Sequence, residues 1–182
     1  MVLRLFGWGF RGEVPAFPRY VIVAAPHTSN WDFLVMVAYT RMLGIKVSWI
    51  GKHTLFRGAL GAFFHAVGGV PVDRTKRQNF VDQIVAEYER RERLVLIITP
   101  EGTRGRRGYW KSGFYHIARK AGVPVVLASV DYVDKLVEFG PTIRPAGDIE
   151  ADMEIIRGYY DGKRGRHPEK MGEIRFKEDE ED

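Results

Sequence analysis

The 182-residue chain is 45% hydrophobic and 28% charged, with no cysteine, so it is an ordinary globular sequence. It has no disulfide scaffold, thiolate metal site or cysteine nucleophile. The formal net charge of +5 is uneven: Lys177 stands against five acids in Glu178–Asp182, a local −4, so residues 1–176 carry about +9 and favour anionic partners. The chain is expected to form one domain over 1–176, followed by a disordered acidic tail, 177–182.

The elements alternate along the chain. Tyr20–Ala25 is a short β-rich run that predicts a buried strand. Ser29 or Asn30 caps a helix to Leu43, with Gly44 as its C-cap. Lys46–Ile50 predicts a second strand. Leu55–Val67 predicts a helix that is apolar nearly all round and therefore buried. Gly69–Val72 is a short strand, and Thr75 caps an amphipathic helix to Arg91 with Phe80, Ile84, Val85 and Tyr88 on one face. Leu94–Thr99 is a strand leading into a glycine- and arginine-rich loop. Trp110–Ala121 is a helix closed by Gly122, Val125–Asp131 a strand, Leu136–Ile143 an edge strand, and Asp148 caps a helix through Tyr160. The expected fold class is α/β: a mixed, largely parallel central sheet with helices on both faces.

Ligands of such sheets bind beyond the carboxyl ends of the strands. Two polar segments fall there, Pro26–Asp32 and Pro100–Gly108. In the first, Asp32 can accept from one ring nitrogen of His27 and leave the other as a base. Ser29-x-x-Asp32 reads equally well as a capping-box variant. In the second, glycines expose backbone N–H groups and Arg104 can grip an anion through two parallel hydrogen bonds. Glu101 can accept from a substrate hydroxyl or hold Arg104, and Lys111 adds a cation. The alternative is a solvated basic loop. Asp73 and Arg74 close a third strand, as a site pair or a surface ion pair.

His27-x4-Asp32, Gly69-Val70-Pro71-Val72-Asp73-Arg74, Glu101-Gly102-Thr103-Arg104 and Val123-Pro124-Val125-Val126, in this order, resemble the four blocks of the glycerophospholipid acyltransferases. The resemblance is to the 1-acylglycerol-3-phosphate (lysophosphatidic acid) acyltransferases, over about residues 20–135. Pro26, Pro71 and Leu127 depart from the usual blocks, as in a short branch of the family. The resemblance implies a glycerolphosphate acyltransferase-like fold. It further implies that His27 deprotonates an acceptor hydroxyl, that Asp32 orients His27, and that Arg74, Glu101 and Arg104, with Gly102 and Thr103 of the same block, hold the acceptor phosphate. Acyl-CoA or acyl carrier protein would be the donor and a (lyso)glycerophospholipid the acceptor, with no metal and no other cofactor.

No run approaches the ~20 apolar residues of a membrane-spanning helix, and no signal peptide is apparent. The expectation is a cytoplasmic protein, peripheral at the membrane surface. The mixed aromatic and arginine segment Val2–Arg11 either lies at a bilayer interface or packs on the protein's own sheet. Arg106, Arg107, Lys163, Arg164 and Arg166 would add attraction to anionic lipid. Three rival readings are a hydrolase using the same His–Asp pair, a non-catalytic lipid-binding module, and a nucleic-acid-binding domain stacking bases on Tyr109 and Trp110. The last leaves His27 and Asp32 without a purpose, and no nucleic-acid partner is expected.

Overall fold

The structure is a computed structural model that describes residues 6–73 and 80–177. The strands are β1 (Gly9–Arg11), β2 (Arg19–Ala24), β3 (Val47–Lys52), β4 (Gly69–Val72), β5 (Leu94–Ile98), β6 (Val125–Asp131) and β7 (Leu136–Ile143). The helices are α1 (Asn30–Met42), α2 (Ala59–Ala66), α3 (Phe80–Arg90), α4 (Gly113–Ala121) and α5 (Ile149–Tyr160). One sheet runs β1-β7-β6-β2-β5-β3-β4. Five strands, β6 to β4, are parallel; β7 runs antiparallel to β6, and β1 lies parallel to β7.

Alternation along the strands divides the core. On β2, Val21 and Val23 face the side covered by Ile84 and Tyr88 of α3, Phe114 and Ile117 of α4, and Ile156 of α5. Tyr20 and Ile22 face the other side, where Val35, Met36 and Tyr39 of α1 cover them. All seven residues of β6 are buried, as expected of an inner strand covered on both faces.

Three expectations change. Leu136–Ile143 is not an edge strand, because β1 pairs outside it, Phe10 opposite Val137. The three residues of β1 are too few to carry a strand pattern. The stretch 55–67 is neither one helix nor buried. Gly58, at φ 66°, separates a 3-10 turn (His53–Phe56) from α2. Trp49, Phe56 and Phe64 cluster beneath it, with ring centroids about 6 Å apart, while Phe63 stays 58% exposed. An eight-residue helix over the β3–β4 end of the sheet has only one face to bury. Finally, α4 begins at Gly113, and Trp110 is instead buried against Tyr160 at 5.3 Å and bridges Phe176. Buried there, it cannot stack on a nucleic-acid base, which removes half of that rival's platform. The proposed Thr75 cap lies outside the described residues, as does the tail beyond Lys177.

Candidate active site

β2 and β5 are neighbours in register, with Val23 opposite Ile98. The chain leaves both strands at the same sheet edge, three residues before His27 and three before Glu101. The 74-residue separation of the two polar turns therefore collapses in space: the His27 N–H donates to Glu101 Oε1 at 3.0 Å. The Arg104 guanidinium donates to Asn30 Oδ1 on the first turn of α1.

Ser29 caps α1, its hydroxyl accepting from the Trp31 N–H at 3.2 Å, and Asp32 completes the capping box. Asp32 Oδ2 accepts from the Thr28 and Ser29 N–H groups at 2.7 and 2.8 Å and lies 3.2 Å from His27 Nδ1. The capping and His-pairing readings of Asp32 are both true, because one carboxylate oxygen serves both. With Nδ1 turned to Asp32, Nε2 is the ring nitrogen left for the cleft that His27 lines. Burial raises the Asp32 pKa, but the hydrogen bonds from His27, Ser29, Tyr132 and Thr28 outweigh it and hold the group below the usual carboxylate range.

The cleft measures about 1100 Å³. Its polar lining includes His27, Asn30, Arg104 and Lys111. Its apolar lining includes Phe33, Leu34, Met36, Trp49, Ile98 and Phe114. Arg104 is exposed at its border, with only part of its fork taken by Asn30. Gly102, at φ 63°, also lines the cleft; a Cβ there would meet Lys111 Nζ at 2.8 Å, so the missing side chain is what lets Lys111 lie along the loop.

Glu101 and Thr103 do not line the cleft. Thr103 Oγ1 accepts from the Gly105 N–H at 3.3 Å and shapes the loop. Glu101 turns inward and is 8% exposed. Its Oε2 has no hydrogen-bond partner among the described residues, and burial pushes its pKa up to about 7 despite the His27 N–H. Its place is behind the turn that carries His27 rather than at the cleft, because the tight turn after Pro100 sends it toward Trp110 and Tyr160. Arg74 lies outside the described residues. Lys52 and His53 do not line the cleft; His53 Nδ1 lies 3.7 Å from Asp73 Oδ1.

Two residues not foreseen from sequence join the site. Asn30 anchors Arg104. Tyr132, at the carboxyl end of β6, donates to Asp32 Oδ1 at 2.8 Å. The signal for Tyr132 was positional: it follows the strand beside β2, at the same edge as His27.

A family model described as Acyltransferase matches residues 13–130, well over half of the chain. The chain belongs to the acyltransferase family. The fold of this acyltransferase is similar to that in the crystal structure of the 1-acyl-sn-glycerophosphate (LPA) acyltransferase, PlsC, from Thermotoga maritima, with a TM-score of 0.59. The two are 19% identical over 87% of this chain and 70% of that chain. No curated protein matches. Among the described residues of this acyltransferase no helix is long and apolar enough to cross a membrane.

Proposed function

We propose that this acyltransferase moves a fatty acyl group from acyl-CoA or acyl carrier protein to the hydroxyl of a glycerophospholipid such as 1-acylglycerol-3-phosphate. The observation that carries the reading is the meeting of an Asp-paired imidazole and a tethered guanidinium at one cleft with a large apolar lining. The acceptor oxygen attacks the thioester carbonyl carbon as its proton passes to His27 Nε2. The C–S bond then breaks, and the leaving thiolate recovers that proton. The products are an ester and a free thiol, so no cofactor is called for beyond the acyl donor itself. A positioned base contributes ~10²–10⁴-fold, and fixing both reactants supplies much of the rest.

Arg104 and Lys111 hold the acceptor phosphate in this reading, with Arg74 assigned to the same task by its motif. Glu101, Gly102 and Thr103 shape the loop that presents them. The apolar lining accommodates acyl chain. The catalytic unit is one domain, 1–176. It works on the cytoplasmic side, peripheral to a membrane that it meets at the rim of the cleft. There Trp31 and Leu34 of α1 are about half exposed, and the exposed Arg166 lies over the Trp31 ring at 5.7 Å. The N-terminal aromatics are a poorer candidate: Trp8 packs on Tyr132 at 5.1 Å, and Phe10 on Phe139 at 5.6 Å.

The test is a pair of acceptors differing only in the phosphate, lysophosphatidate and monoacylglycerol. Arg104→Ala is expected to raise KM for lysophosphatidate about tenfold and to leave the slower reaction with monoacylglycerol nearly unchanged. Equal losses on both acceptors would refute phosphate binding by Arg104.

A further inference from the structure

Residues beyond 130 lie outside the family match, yet they reach the catalytic turn. The Tyr132 hydroxyl donates to Asp32 Oδ1 at 2.8 Å, while Oδ2 takes both backbone N–H groups and faces the imidazole. We infer that Tyr132 is a positioning residue for the His27–Asp32 pair, locking the carboxylate so that Oδ2 alone meets Nδ1. The inference rests on the acyl-transfer reading proposed above.

The surroundings hold Tyr132 to that task. Its ring meets Trp8 edge-on at 88°. Its N–H donates to the Arg164 carbonyl at 3.0 Å, and the Arg164 N–H donates back to Asp131 Oδ2 at 2.8 Å. Asp131 Oδ1 accepts from the Val133 and Asp134 N–H groups, fixing the turn that follows. Three residues past Arg164, the same segment returns to the His27 turn. The His167 N–H donates to Thr28 Oγ1 at 3.1 Å, and a Cβ on Gly165 would sit 2.7 Å from that oxygen. One strap therefore ties β6 to the turn that carries His27, and Tyr132 lies at its base.

The chemistry suits a donor that stays protonated. Burial, the Asp32 hydrogen bond and the Asp32 charge all raise the Tyr132 pKa, while Arg166 opposes them. Three further titratable or charged groups bear on the pair: Tyr132 on Asp32 directly, Glu101 behind His27, and Arg166 beside Tyr132. Removing the Tyr132 hydroxyl removes one of the bonds that keep Asp32 ionised.

Tyr132→Phe keeps the ring and its contact with Trp8. We expect kcat to fall about tenfold, with the acceptor KM within about twofold of wild type. The acid-side loss of activity should move to higher pH. A carbon-13 NMR titration without substrate should show the Asp32 carboxyl protonating at higher pH than in wild type. In an Asp32→Asn background the same change should have no further effect on kcat, since the two act as one unit. An unshifted Asp32 titration, or full additivity with Asp32→Asn, would overturn the inference. If wild type transfers no acyl group to any acceptor, the function fails separately. The titration then still decides whether Tyr132 governs the carboxylate.

Discussion

The general base proposed at His27 needs one free ring nitrogen and a fixed proton on the other, and that demand falls on a single carboxylate. Asp32 caps α1 through two backbone N–H groups and faces Nδ1 with the same oxygen. This explains why His-x4-Asp left capping and pairing open: nothing in the spacing separates them when one atom does both. Glu101 shows the opposite limit. Its motif was legible, but its direction was not, because a tight turn decides whether a side chain faces cleft or core. The inward carboxyl carries a pH signature. Its folded pKa of about 7 lies above the unfolded value. As pH rises from about 4.5 to about 7 the unfolded state ionises first, so stability falls across that window and levels off above it. Glu101→Gln should abolish this fall and be more stable than wild type at pH 8 by about 1–3 kcal/mol, read by chemical denaturation at several pH values. A parallel pH dependence in both proteins would contradict the inward, raised carboxyl.

At the scale of elements, the site exists because β2 and β5 are adjacent and parallel, with β6 on the other side of β2. The strands were readable as apolar runs, and the bounds Gly69–Val72, Val125–Asp131 and Leu136–Ile143 agree with the structure. Strand order was not readable, since pairing depends on crossovers that leave no local pattern. Nor was β1, whose three residues matter through Phe10 packing on Tyr39 and Phe139. The α1 cap allows its two jobs to be separated. Ser29→Ala removes the hydroxyl that accepts from Trp31 but keeps the backbone N–H to Asp32. It should cost about 1 kcal/mol in unfolding experiments and lower kcat less than about fivefold. A hundredfold loss of kcat would mean that the hydroxyl itself acts in the reaction.

Across the whole molecule, two features point the same way. The sequence carries +5 overall, and large apolar side chains stand exposed: Leu34, which lines the cleft, with Trp31 near it at the rim on α1, and Phe63 on α2. Such a rim suits an amphiphilic substrate drawn from an anionic bilayer. Replacing Trp31 and Phe63 together by Ala should weaken sedimentation with anionic vesicles several-fold and leave the thermal midpoint nearly unchanged. Trp8→Ala should do the reverse, since its ring is spent on Tyr132. Loss of vesicle binding in the Trp8 variant alone would return the membrane contact to the N-terminus. The alternating α/β pattern announced the fold class, but α2 was misjudged. Hydrophobicity all round a helix says that it avoids water somewhere, without saying whether protein or lipid covers it.

The most direct test of the central claim is thiol release from acyl-CoA or acyl carrier protein, measured with and without lysophosphatidate in wild type and His27→Ala. Acyl transfer with His27 as the base requires release that depends on the acceptor, matched by new phospholipid, and at least about 100-fold slower in the variant. Release that ignores the acceptor, or a variant as fast as wild type, would contradict it.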